Sequence, residues 1–205
     1  PFEPYIETVN ISDLFSTAIY RDDMRLRTEK HLKEIYNDEN LKFKVKLAEG
    51  YKIRPIIQRA DGNDYNLHNE GMGMKQILFL LLRNQIAPNG STIFLNEPEC
   101  YIDVENQHSV VKQLVEQRKQ KHHQLIMSTH SEHILFGLIK LIKNGVVKPN
   151  DVKVYYFELE KQKNSPKSLV KEIGFNQSGD LESMPNFTNI AKKETKISLK
   201  SIKIV

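Results

Sequence analysis

The chain has 205 residues, 39% hydrophobic and 27% charged, with 30 Lys and Arg against 26 Asp and Glu and a net charge of +4. That balance suits one globular domain with a real core, or one domain plus a small appendage, and excludes a disordered chain. A single cysteine, Cys100, excludes a disulfide framework and argues against a cysteine-built zinc site, while the longest apolar run, Ile77–Leu82, falls far short of a membrane span.

Residues 1–10 read as extended and irregular. From Ile11 to about Asn37, Leu14, Ala18, Ile19, Leu26, Leu32 and Ile35 recur at helical spacing among many charges, which predicts one or two helices with one apolar stripe. In "LKFKVKLA", Leu41, Phe43, Val45 and Leu47 alternate with Lys42, Lys44 and Lys46, as in a half-exposed strand. "YKIRPIIQR" alternates in part, and Pro55 favours an edge or a bulge there. The turn "DGND" follows, so residues 41–59 read as a small antiparallel strand pair.

After Gly71 the pattern changes. "KQILFLLLRNQIA" predicts a buried helix ended by the turn "PNG". "STIFLN" is a short apolar run of the parallel-sheet kind. A helix over about Glu105–Lys121 turns Val110, Val111, Leu114 and Val115 inward, and "QLIMST" is a second apolar strand. "SEHILFGLIKLIKNG" is a helix ended at Gly145, and "DVKVYYFEL" is a third strand. Strand and helix in alternation predict an α/β fold with a mostly parallel sheet, flanking helices, and ligands at the carboxyl ends of the strands. "SLVKEIGF" adds a strand, and the tail from Ala191 to Val205 carries five Lys and one Glu.

Three features fall where such a sheet places its site. Glu97 directly follows an apolar strand in "LNEPE", where a carboxylate can polarise water or hold a metal-bound one. Pro98 stops the strand by removing a ladder donor. His130 follows the next strand in "MSTHSEH", and an imidazole beside hydroxyls can contact a phosphate. The neighbouring hydroxyls are better explained by a helix entry with Thr129 or Ser131 as N-cap, and His133 as structural. Gly71 and Gly73, at the start of a helix in "NEGMGMKQ", can offer backbone N–H groups to an anion. Each feature alone has a plain alternative: a solvated strand end, a helix entry, or a flexible turn.

In order and spacing, the three together resemble the C-terminal half of an ABC-type ATPase head, as in chromosome-maintenance and DNA-repair ATPases and the overcoming-lysogenization-defect (OLD) group. "NEGMGMKQ" looks like the signature motif, "TIFLNEPE" like Walker B, "CYIDVENQ" like the segment after it, and "IMSTHSEHIL" like the switch-histidine strand. The segment from "NGVVKPN" to "SMPNF" resembles the C-terminal region of bacterial AAA-type ATPases that carry a domain of unknown function and no nuclease domain. The resemblance implies a P-loop NTPase-like lobe in three parts: a helical segment over 1–40, an ATPase core over 41–160 and an extension over 161–205. It implies ATP and Mg²⁺ as cofactors. Glu97 would be the catalytic carboxylate, His130 the γ-phosphate sensor, and Asn96 with Glu97 the metal side. Gly71, Gly73 and Gln76 would contact nucleotide held by an opposing subunit. The implied partner is a second copy or another ATPase subunit, joined through sandwiched ATP, in a cytoplasmic setting of DNA metabolism or phage defence.

Two departures bear on activity. Asn96 stands where the family usually has an acid, and it keeps a carbonyl oxygen but no charge. No G-x-x-x-x-G-K-[ST] phosphate loop occurs in these residues, and the chain begins with Pro1. The expectation is therefore a fragment or a partner-dependent lobe, inactive alone. The alternative is a catalytically degenerate module that regulates an intact ATPase. Direct binding of DNA by the lysines at 42–46 and 192–203 is a third reading.

Overall fold

A computed structural model describes residues 11–48, 52–161, 166–182 and 200–204. The readings of residues 1–10, and of most of the lysine-rich tail, lie outside these. The chain divides into two compact units between Ala87 and Pro88, a boundary that falls inside the 41–160 span.

The first unit holds helices α1 (Ile11–Tyr20), α2 (Asp22–Tyr36) and α3 (Met72–Ile86) with strands β1 (Lys42–Ala48), β2 (Lys52–Gln58) and β3 (Asp64–Asn66). Leu14, Ala18, Leu32 and Ile35 are buried as their spacing predicts, but Leu26 is 55% exposed and leaves the stripe. The apolar alternation is buried at Leu41, just before β1, and at Phe43, and runs out into solvent at Leu47. The predicted strand pair is a three-stranded antiparallel sheet, because Asp64–Asn66, which starts on the last residue of the predicted turn, pairs with β2. Pro55 thus sits in the central strand. It faces Val45 of β1 but lies beyond the last residue of β2 that β3 pairs, Ile56, where a missing N–H costs little. A buried polar link joins α2 to α3. Gln85 Nε2 donates to Thr28 Oγ1 at 2.8 Å, and that hydroxyl donates to the Met24 carbonyl at 2.9 Å.

The second unit is a five-stranded sheet in the order β4 (Thr92–Asn96), β5 (Gln124–Ser128), β8 (Lys200–Ile204), β6 (Val152–Lys161), β7 (Pro166–Ile173). Helices α4 (Val104–Lys121) and α5 (Glu132–Lys143) connect β4 to β5 and β5 to β6. The expectation of a mostly parallel sheet is corrected. Among the described strands only β4 and β5 pair in parallel; β8 lies antiparallel between β5 and β6, and β6–β7 is an antiparallel pair. The strands joined by helical crossovers still share one direction, since β5 and β6 are both antiparallel to β8.

One face of this sheet is buried. Ile93 and Leu95 of β4 are in register with Leu125 and Met127 of β5, and Val152, Val154 and Ile173 continue the face. Phe94, between two buried neighbours, is 74% exposed, so β4 is not buried on both sides as its unbroken apolar run suggests. Val110, Val111, Leu114 and Val115 of α4 and Ile134, Leu135, Leu138 and Leu141 of α5 complete the core. Helix α5 ends as its glycine predicts. Gly145 has φ +69°, its N–H reaches the Ile142 carbonyl, and the Val146 N–H reaches that of Leu141, which is a Schellman closure.

His108 lies where α4 meets α5, its ring 5.9 Å from that of His133, and its Nε2 is buried without a hydrogen bond among the described residues. Burial first, then the nearby His133 and Lys140, push its pKa below the ordinary 6.5. The unfolded chain therefore takes up this proton more readily. Stability held at neutral pH is lost as the pH falls below about 6.5 and through the lower folded value. We expect His108→Leu to flatten that fall, measured as urea midpoints across the same pH range.

Candidate functional site

Asn96 and Ser128, the last residues of β4 and β5, stand opposite each other, and the Ser128 hydroxyl donates to Asn96 Oδ1 at 2.6 Å. This gives a local reason for an amide at 96, since its carbonyl stitches the ends of the two strands. The ladder continues one residue further through the Glu97 N–H, which donates to the Ser128 carbonyl at 2.8 Å. There the chain turns. Glu97 has φ 46° and Tyr101 φ 64°, both left-handed, with Pro98 buried between them. Cys100 N–H closes onto the Glu97 carbonyl and Ile102 N–H onto that of Glu99, before Asp103 leads into α4. Backbone of this kind disfavours side chains that carry a Cβ and persists where the surroundings hold it.

The turn aims Glu97 across to the other strand end. Its Oε1 lies 3.3 Å from His130 Nε2, both side chains being about two-fifths exposed. Its Oε2 accepts the Cys100 thiol at 3.3 Å. Burial, then that bond, push the Cys100 thiol above its ordinary pKa, so the sulfur stays protonated and donates. Glu99 turns the other way. Its Oε1 accepts both the Thr129 hydroxyl at 2.7 Å and the His130 N–H at 2.8 Å. Ser131 caps α5 through its hydroxyl, which accepts from His133 and Ile134, as predicted for this helix entry. The same hydroxyl donates to Gln107 Oε1 at 2.5 Å, and Gln107 Nε2 donates to the Ile102 carbonyl at 2.9 Å.

The structure thus brings Asn96, Glu97 and His130 together at the carboxyl ends of β4 and β5. Gly71, Gly73 and Gln76 belong to the first unit. Gly71 precedes α3 and Gly73 lies within its first turn, so the helix begins earlier than its apolar run suggests. Gly71 has φ −59°, and a Cβ there would meet nothing within 4 Å, so the chain's own packing does not demand glycine. Glu99, read in sequence as a carboxylate that could compensate for Asn96 at a metal, and Gln107, read only as the glutamine whose spacing from E-P-E resembles the OLD group, take part here in hydrogen bonds to the loop after β5 that the sequence did not indicate.

The family model described as AAA ATPase domain matches residues 12–135, more than half of the sequence. The chain belongs to this AAA ATPase domain family. No curated protein matches it. Among solved structures, this AAA ATPase domain is similar to one from a study of ATP-driven dimerization and DNA-stimulated activation of SMC ATPases. The two share 10% identity over 78% of this chain and 89% of that one, with a TM-score of 0.50. It is also similar to an Smc head bound to the C-terminal winged-helix domain of ScpA, with 11% identity over 73% of this chain and 42% of that one, TM-score 0.50. A third is an Smc head with coiled coil and joint from Pyrococcus yayanosii, with 10% identity over 84% of this chain and 29% of that one, TM-score 0.50. The chain spans less than half the length of these last two. At such identities the likeness is one of fold: an α/β fold of the P-loop ATPase-head kind. No helix among the described residues is long and apolar enough to cross a membrane.

Proposed function

We propose that this AAA ATPase domain is the C-terminal lobe of an ABC-type ATPase head, of the OLD kind, that turns nucleotide binding into association of two heads. The observation that carries the reading is the Glu97–His130 pair at the ends of two parallel strands. Glu97 would orient the water that attacks the γ-phosphate and accept its proton, a role that needs an ionised carboxylate in contact with solvent. His130 would donate from its ring to the γ-phosphate. Both left-handed turns and the cross-strand bonds hold these groups in place before any ligand arrives, which reduces the ordering left for the reaction step.

Asn96 and Glu97 present neighbouring oxygen donors, which suit a hard cation that takes its other ligands from phosphates and water. Among the described residues no group of three or more His, Cys, Asp or Glu could hold a metal by itself. Magnesium bound with the nucleotide would supply charge neutralisation on the phosphates. Gly71, Gly73 and Gln76 would meet nucleotide held on the opposing head, which explains a glycine that the chain's own packing does not demand. Gly71→Ala is expected to leave stability within about 0.5 kcal/mol while weakening ATP-dependent association, read by sedimentation with and without Mg-ATP.

The test of the whole reading is a calorimetric titration with Mg-ATP, of the chain alone and of the chain with a segment or subunit that supplies a phosphate loop. Binding only in the second case supports the lobe. No binding in either case overturns it.

One observation favours the second reading, a regulatory module without turnover: the uncharged Asn96 carbonyl is already engaged by Ser128. That reading predicts nucleotide-dependent association without hydrolysis. Nucleic-acid binding by the 42–46 face draws less support, because Lys44 and Lys46 both pair with Asp64, at 3.0 and 2.7 Å.

A further inference from the structure

We propose that Glu99 is a positioning residue that, together with Gln107, clasps the loop after β5 onto the turn after β4 and so sets His130 against Glu97. The clasp rests on the ATPase reading only for its consequence; its geometry stands by itself. Glu99 Oε1 takes two hydrogen bonds from adjacent residues of the β5 loop, the Thr129 hydroxyl and the His130 N–H. The second of these holds the backbone of the residue whose ring faces Glu97.

The bonds form a closed circuit. Thr129 Oγ1 donates to Glu99 and accepts the Ser131 N–H at 3.0 Å. The Ser131 hydroxyl donates to Gln107, Gln107 Nε2 donates to the Ile102 carbonyl, and the Ile102 N–H returns to the Glu99 carbonyl at 3.0 Å. Thr129 and Gln107 are 2% and 7% exposed, so these bonds are sheltered from competing water. Three of these bonds, Thr129 Oγ1 and His130 N–H to Glu99 and Ser131 Oγ to Gln107, cross from the loop that carries His130 to the turn and helix that follow β4, and the rest brace each side. A carboxylate is the strongest acceptor for two donors at one oxygen. The other oxygen, Oε2, is buried with no hydrogen bond among the described residues, so Glu99 gains nothing from solvent there.

The experiment is NMR on the ¹⁵N-labelled chain without nucleotide, so it is independent of the ATPase reading. Two signals are followed: exchange of the His130 amide, and the change that Glu97→Gln produces in the His130 ring nitrogens. With Glu99 present, the His130 amide should be protected and the ring should respond to Glu97→Gln. In Glu99→Ala the protection should vanish and the ring response should shrink about threefold or more. Glu99→Gln keeps an acceptor oxygen and should retain most of both signals. If Glu99→Ala does not fold, Gln107→Ala opens the circuit from its other side and should give a partial loss of both. An unchanged ring response in Glu99→Ala or Gln107→Ala, even with lowered stability, overturns the proposal, because the clasp would then be a staple without influence on the pair. An unprotected His130 amide in the unmodified chain overturns it too.

Discussion

Glu97→Gln is expected to lower ATP turnover by about a hundredfold or more, measured as phosphate release with the chain supplied with a phosphate loop. Glutamine keeps the length of the side chain and an oxygen for the Cys100 thiol, so the turn after β4 should survive. What it loses is the negative charge that attracts a water proton and faces His130 at 3.3 Å. Nucleotide affinity should change by no more than about threefold, since the carboxylate acts on water and not on the base or ribose. Loss of turnover with preserved binding is the pattern of a group used in the reaction step. Unchanged turnover would remove Glu97 from the role of activating water, and a large loss of affinity would mean that its contribution lies mainly in holding the cation with Asn96.

The second large effect concerns the packing of α4 on α5. A Cβ on Gly137 would lie 3.3 Å from the His108 Cα and 3.7 Å from the Val111 Cβ. The first neighbour is backbone and cannot rotate aside. Gly137→Leu should therefore wedge the two helices apart and cost about 3 kcal/mol, as overpacking of a tight core does. Gly137→Ala sets that close contact against a helix-propensity gain of about 1 kcal/mol, so its net change should be small. Urea denaturation followed by far-UV circular dichroism distinguishes the two variants. A leucine tolerated without loss would mean that the helices meet less closely here than the structure shows.

Much of this was written in local pattern. The apolar runs ending at Asn96 and Thr129, the helix at "VVKQLV" and the Gly145 cap each depend on neighbours within a few residues, and each was legible. So was the convergence of Glu97 and His130, because helical crossovers between strands of one direction bring strand ends together. What escaped depends on distant partners. Asp64–Asn66 is too short to show alternation and becomes a strand only through its pairing with β2. Phe94 looks like core in sequence, but it lies on the uncovered face of the sheet. Glu99 finds its donors thirty and thirty-one residues away, and no spacing within "EPEC" announces them. The end of the chain, read only as lysine-rich, supplies β8 because Ile202 and Ile204 alternate with polar residues.

That strand has a consequence for assembly in time. Among the described strands β5 and β6 do not pair with each other, and β8 alone joins them. Until residues 200–204 have been synthesised, the second unit can form the β4–β5 pair and the β6–β7 pair but not the sheet that unites them. Its central seam closes last, across a separation of some seventy residues from β5, which is a slow kind of closure. Meanwhile two strands present open edges to other chains. The nascent protein is thus most exposed to misassembly in the interval before β8 has been made.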